Sequence, residues 1–301
     1  MRFSFSLTTC LCLAATMLSC SVGNEAGNSI TDLRCEYQRS PLTVDVQTPR
    51  FTWIYDGVDG FVQHSYSLAV ASSEEKLSSP DIWCSGTVTS SVPFARMEDT
   101  GLMVSDHEYF WQVTAWNADS TKVLISEPAK FRTALMGRTD WKAVWVTDSH
   151  DKDFEAAPMF RKEFDAGQDV VSARVYMSAC AYAEVRLNGE PVSDAFLDPG
   201  YTHYDKRNLY TVTDVTGKVR SGENVITAVL GNGFYNEIKP VATWNFENAR
   251  WRGRARFILE LHVTHADGTT SVIASDKTWK TTADGPYISN NIYSGDTYDA
   301  R

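Results

Sequence analysis

The sequence has almost no stretch whose apolar residues recur at helical spacing, no C-x-x-C or H-E-x-x-H pair, and no excess of basic residues. Each absence excludes something. Without helical periodicity there are no amphipathic faces from which to build a helix-rich fold. Without paired cysteine or histidine spacings, a structural or catalytic zinc has no donor set. Lys and Arg number 28 against 38 Asp and Glu, a net charge of −10. That balance excludes nucleic acid as a partner, because neutralising phosphates requires a basic face. Charged residues at 22% beside hydrophobic ones at 43% also exclude wholesale disorder.

Long apolar runs are missing too, except at the N-terminus. Arg2 is followed by a mostly apolar or small run from Phe3 to Leu18, too short to span a bilayer comfortably and laid out like a secretory signal. It ends Met17-Leu18-Ser19-Cys20 before the polar Ser21-Val22-Gly23-Asn24-Glu25. This junction resembles a bacterial lipobox, which implies a signal peptide over 1–19 and lipidation at Cys20. The expected location is the periplasm or cell surface, with the membrane reached through the lipid anchor; plain secretion is the alternative. Removing the signal reduces six cysteines to Cys20, Cys35, Cys84 and Cys180, too few for a disulfide scaffold. Cys35 and Cys84 could pair, but sequence does not supply their separation, and two buried free thiols are the preferred reading.

What is present is alternation. Short strands such as Ser65–Val70 and Tyr109–Ala115 recur between turn clusters over residues 30–137, as in a β-sandwich. Tyr109 follows a turn containing Leu102, and the strand it opens resembles the penultimate strand of a fibronectin type III domain. Residues 20–29 read as a linker and 138–157 as a connector. From residue 158 to 301 the strands lengthen: Val170–Met177, Tyr182–Leu187, Asn224–Leu230 and Arg256–His265. Asn188-Gly189 and Asp267-Gly268 read as primed hairpin turns. The fold class is therefore all-β, a fibronectin type III-like sandwich followed by a jelly-roll sandwich. Gly231-Asn232-Gly233 tempts a dinucleotide-loop reading, but Pro240 follows where that loop needs a helix, so a turn at the sandwich rim is expected.

Several segments together resemble one family, the N-terminal part of bacterial α-L-rhamnosidases of glycoside hydrolase family 78. In the first domain these are Ser40-Pro41-Leu42-Thr43-Val44-Asp45, Pro49-Arg50-Phe51-Thr52-Trp53 and Tyr109-Phe110-Trp111-Gln112-Val113. Trp141-Lys142-Ala143-Val144-Trp145-Val146 follows. In the second they are Glu184-Val185-Arg186-Leu187-Asn188-Gly189, the long run from Leu197 to Arg207, Leu230-Gly231-Asn232-Gly233-Phe234-Tyr235, and the exit Tyr293-Ser294-Gly295-Asp296-Thr297-Tyr298. The resemblance implies inverting hydrolysis of terminal α-L-rhamnosyl residues by two carboxylates on a later (α/α)6 barrel. It implies rhamnose-containing glycans as partners. The barrel is expected to be absent from this chain, which leaves no catalytic residue here and a supporting or carbohydrate-binding role. A stand-alone surface carbohydrate-binding or adhesion module is the alternative.

Sugars favour aromatic faces and amide groups. Tyr201, Tyr204, Asn232, Tyr235, Trp244 and Trp251 lie in or beside expected loops and are the candidate carbohydrate-binding residues, although each suits a packed core or a turn equally well. Some related sandwiches bind L-rhamnose through calcium, so calcium stays open as a cofactor without assignable ligands. Asp198, Asp205, Glu237 and Asp296 occupy loop contexts where an acid could project. With 38 acids in the chain, solvated or turn roles are the default for each, and Asp198 before Pro199-Gly200 is ordinary turn chemistry.

Overall fold

The structure, a computed structural model, describes residues 29–58, 60–238 and 246–301. Cys20 and the expected signal segment lie outside them, as does Trp244. Two compact units divide after Asp140.

Among the described residues, the first unit holds β1 (Ser29–Cys35), β2 (Arg50–Asp56), β3 (Ser65–Ala71), β4 (Trp83–Cys84), β5 (Val88–Thr89), β6 (Phe94–Arg96), β7 (Glu108–Trp116), β8 (Val123–Ile125) and β9 (Ala129–Arg132). One sheet runs β1-β2-β6; the other runs β4-β3-β7-β8, with β5 on β3 and β9 on β7. Alternation in β7 is strict: Tyr109, Trp111, Val113 and Ala115 are buried between half-buried neighbours, as a strand with one face on a core requires. Phe51 from the opposite sheet meets Trp111 at 4.8 Å and Phe131 at 5.8 Å between ring centroids. The buried Tyr109 hydroxyl accepts the Val104 N–H at 2.9 Å, tying the strand to the turn before it, the corner by which sandwich domains fix this crossing.

The second unit contains β10 (Met159–Asp165), β11 (Val170–Cys180), β12 (Tyr182–Leu187), β13 (Glu190–Pro191), β14 (Tyr210–Asp214), β15 (Glu223–Gly231), β16 (Arg256–His265), β17 (Thr270–Ala274), β18 (Lys280–Thr282), β19 (Tyr287–Asn291) and β20 (Gly295–Tyr298). A five-stranded sheet β13-β12-β15-β10-β18 and a four-stranded sheet β14-β11-β16-β17 enclose one core, and β19-β20 form a separate hairpin. All pairings are antiparallel. Phe160, Phe257 and Trp279 pack edge to face within the core.

From Ala173 onward β11 is buried on both faces. The segment that starts at Trp141 is tied to its neighbour β16. Glu260, fully buried on β16, accepts the N–H groups of Lys142 and Ala143 and lies 2.7 Å from His262 Nε2. Burial pushes this carboxyl up, but His262 and the two amides outweigh it and hold it below the usual range. Val146 pairs with Phe257, so the segment is stitched to the sheet along its length.

Asn188 and Gly189 both have positive φ, 53° and 86°, as a primed two-residue turn requires. Asp267-Gly268 differs from expectation. Only Gly268 is left-handed, at 84°, and its N–H donates to His265 O at 2.9 Å. This is a longer turn closed by one left-handed glycine, because the His265–Thr269 bond leaves three residues to cross rather than two. Cys35, Cys84 and Cys180 are all free; Cys35 and Cys180 are buried, whereas Cys84 is half-buried.

Candidate carbohydrate-facing rim

Three connections meet at one end of the second sandwich: the loop 199–209, the turn after β15, and the stretch leading into β16. Each is fixed locally. In the first, Lys206 N–H and Arg207 N–H both donate to His203 O, and Thr202 Oγ donates to Arg207 O. Asn208 Nδ2 caps Tyr204 O at 3.1 Å. In the second, Gly233 takes φ +53°, and a Cβ there would sit 2.8 Å from the Tyr182 ring. Only glycine supplies both the left-handed backbone and the room. The turn expected at Gly231-Asn232-Gly233 is therefore present.

The rings from these loops form one cluster. Tyr204, Tyr235 and Cys180 are buried, with Phe234 and Trp251 packed against them. Centroid separations are 5.2 Å for Tyr204–Tyr235, 6.2 Å for Tyr204–Trp251, 5.8 Å for Tyr201–Tyr204 and 5.2 Å for Tyr201–Phe234, all edge to face, the geometry that ring quadrupoles prefer. Trp251 Nε1 donates to Phe234 O at 3.4 Å. Burial pushes the Tyr204 and Tyr235 phenols up and the Cys180 thiol up to about 11. The Tyr204 hydroxyl is sealed from solvent and has no hydrogen-bond partner among the described residues, a deficit of about 1–3 kcal/mol for a buried polar group.

The candidate residues thus fall into two layers. Tyr204, Tyr235 and Asn232 lie inside, at 5%, 4% and 2% exposure. Asn232 works as a tie: its N–H donates to Asn290 Oδ1 at 2.6 Å, and its own Oδ1 accepts Asn236 Nδ2 at 2.9 Å. Tyr201, 46% exposed, and the half-buried Trp251 form the outward layer. Sequence reasoning missed Phe234, Tyr293 and His203, which extend it: Phe234–Tyr293 is 5.9 Å and His203–Trp251 is 4.7 Å. Their signal was adjacency to residues already singled out, at Tyr235, at the exit motif and at Tyr204.

The four loop carboxylates are dispersed in role. Asp205 bonds His203. Glu237 is buried and accepts Asn291 Nδ2. Asp198 is half-buried and pushed up by burial, and Asp296 is exposed on β20. Among the described residues, no three or more His, Cys, Asp or Glu side chains converge as a metal donor set.

Comparison with known proteins places this architecture in a class, the N-terminal sandwich domains of α-L-rhamnosidases. Residues 30–137 match the Rha78A-like N-terminal immunoglobulin domain, and residues 168–301 match the α-L-rhamnosidase N-terminal domain. An α-L-rhamnosidase of Formosa agariphila is 33% identical over 336 residues, covering all of this chain and 34% of its own length. A second from the same organism is 34% identical, covering 87% and 29%. The solved α-L-rhamnosidase of Dictyoglumus thermophilum aligns at TM-score 0.78 and 33% identity, covering 91% of this chain and 31% of that one. The chain belongs to the α-L-rhamnosidase family, as an N-terminal region. It spans about a third of the length of these curated relatives.

Proposed function

We propose that this chain is the non-catalytic, carbohydrate-facing front of an exported α-L-rhamnosidase acting on rhamnose-containing glycans. In this reading hydrolysis of terminal α-L-rhamnosyl residues, with inversion, belongs to the remaining two-thirds of the family's length. The second sandwich contributes contact to the sugar at the ring-lined rim. The observation that carries it is the layered cluster itself. Tyr204 and Tyr235 form a buried base that holds Tyr201, Trp251 and Phe234 at the surface. Rings braced from beneath lose little freedom on binding, and their faces suit the C–H surface of a pyranose.

A shallow site of this kind gives weak binding, roughly millimolar to tens of micromolar, or about 4–6 kcal/mol. Titration with L-rhamnose and with a rhamnose-containing polysaccharide, with and without calcium, should shift tryptophan fluorescence. The double variant Tyr201→Ala, Trp251→Ala should abolish the shift. No shift at high ligand concentration in the unsubstituted protein would make the rim structural. The purified chain alone should release no nitrophenol from an aryl rhamnoside; release that is lost on substituting an acid of residues 141–301 would overturn the non-catalytic assignment.

Export and a lipid anchor at Cys20 complete the proposal, supported by the apolar run and the Leu18-Ser19-Cys20 junction. Bacterial lipoproteins carry several acyl chains, enough for stable anchoring. A fatty-acid probe should label the protein in cells, and Cys20→Ala should remain unlabelled; equal labelling of both would refute it.

A further inference from the structure

We infer that the second sandwich carries a ligand cleft that adjoins the rim at Tyr182, Gly231 and Asn290 but shares none of its clustered rings, shaped for a neutral small molecule with an apolar body and one hydrogen-bonding hydroxyl. The cleft measures about 890 Å³, within the span of about 300–1,000 Å³ typical of small-molecule sites. It opens where the sheets part, between β12 and β13 of one and β14 of the other.

Its inner wall is aliphatic: Val175 and Met177 on β11, Val185 on β12, and Val192 after β13. Thr213 pairs with Val175, and Thr211 with Met177, so the two threonines share the face of these side chains. The connection after β13 borders the opening. It is tied down by Val192 N–H to Val185 O at 2.9 Å, by Ala183 N–H to Asp198 O at 2.8 Å, and by Lys218 Nζ to Pro191 O. The cleft is therefore a built space rather than a gap under a loose loop.

The polar groups of the lining lie outside this aliphatic wall: Glu184, Arg186, Asp194 and Asp296 are exposed, while Ser193, Asp198, Thr211, Thr213 and Asn290 are half-buried. Asp198 is half-buried beside Thr211, and its carboxylate can accept one hydroxyl. A plain sugar carries hydroxyls on every side and would leave most of them unpaired against valine and methionine, which is unfavourable. A compact apolar ring with a single hydroxyl loses nothing there and gains burial. Charge narrows the choice further. Glu184, Asp194, Asp198 and Asp296 line the cleft against Arg186 and Lys218. Arg186 is already paired with Glu184 at 2.6 Å, and Lys218 is held by the Pro191 carbonyl. With four acids against two bases in the lining, an anion meets net repulsion.

The test uses 2-naphthol and its anionic counterpart 2-naphthalenesulfonate, titrated by fluorescence into the purified chain. 2-Naphthol should bind saturably and at least tenfold more tightly than the sulfonate. Thr213→Trp, which fills the cleft from its edge, should weaken 2-naphthol at least tenfold. Val192→Phe serves in its place if that variant does not fold. Asp198→Ala should weaken 2-naphthol several-fold and narrow its advantage over the sulfonate, a change that a purely structural role for Asp198 would not produce. L-Rhamnose should not compete. Equal binding of the two probes, or unchanged binding in a folded cleft-filling variant, would overturn the cleft; competition by L-rhamnose would overturn its distinctness from the ring cluster. Should rhamnose fail to bind while the naphthol pattern holds, the rim proposal fails alone and the cleft stands.

Discussion

The guanidinium of Arg254 grips the carboxylate of Asp148 from two sides, Nε to Oδ1 at 2.7 Å and Nη2 to Oδ2 at 2.6 Å, with both side chains almost wholly buried. The same guanidinium donates to Phe154 O and Ala156 O. One arginine therefore fastens the whole stretch from Asp148 to Ala156 to the start of β16. A planar fork with five donors is the side chain that can do this.

Breaking this pair leaves a buried charge without its counter-ion. Arg254→Ala should lower unfolding stability by about 3–5 kcal/mol, read from urea denaturation. Burial pushes Asp148 up, yet Arg254 and then His150 hold it below its ordinary value. A carboxyl depressed in the folded state adds stability above its unfolded pKa, near 3.8, and loses it as pH falls through the folded value. Glu260, also held low, acts in the same direction. The second unit should therefore lose stability below about pH 4, and Asp148→Asn should flatten that dependence. An unchanged acid limb in the variant would contradict the assignment.

Asn224 and Asn188 form a second buried tie. Asn224 Oδ1 accepts Arg220 N–H and Asn188 Nδ2, while its own Nδ2 donates to Arg220 O and Gly222 O. Asn188 Oδ1 in turn accepts Val225 N–H at 3.0 Å. Asn224→Ala should cost about 1–3 kcal/mol for the polar groups left unpaired, measured as a shift in urea midpoint. Asn224→Asp should be no milder, because a carboxylate oxygen would face the Arg220 and Gly222 carbonyls that Nδ2 now satisfies.

Gly233→Ala places a methyl 2.8 Å from the Tyr182 ring at a positive φ. Strain and displacement together should cost about 1–3 kcal/mol. The diagnostic is the pairing with Tyr182→Ala: if the clash is the cause, the double variant should recover part of the loss.

Thiol accessibility should separate the three cysteines beyond residue 20. At pH 8 an aromatic disulfide reagent should modify Cys84 readily in the folded protein. Cys35 and Cys180 should react only on unfolding, because both are buried and their thiols are pushed up by burial, and only the thiolate attacks. Prompt modification of two or three thiols in the native protein would contradict this packing.

Much of the fold was legible because alternation is local. Tyr109, Trp111, Val113 and Ala115 announce a half-buried strand without reference to anything else, and Asn188-Gly189 announces its turn. The arginine–carboxylate and glutamate–histidine ties were not legible. Asp148 and Arg254, or Lys142 and Glu260, lie more than a hundred residues apart, and no local pattern marks one for the other. Asp267-Gly268 shows the same limit at short range, since the dipeptide alone does not state how many residues its flanking pair leaves to cross.

The sequence by itself determined the strands, the two sandwiches and the family, since each rests on residue order along one stretch of chain. It also determined which loops were rich in rings. Tertiary structure alone decided which of those rings face outward. Tyr201 and Tyr204 sit three residues apart in one loop, yet one is 46% exposed and the other 5%. The difference arises because Tyr235, Trp251 and Cys180, brought from three other segments, close over Tyr204 and leave Tyr201 at the surface. Burial is a property of the neighbours that a side chain acquires, and those neighbours arrive only when distant segments fold together.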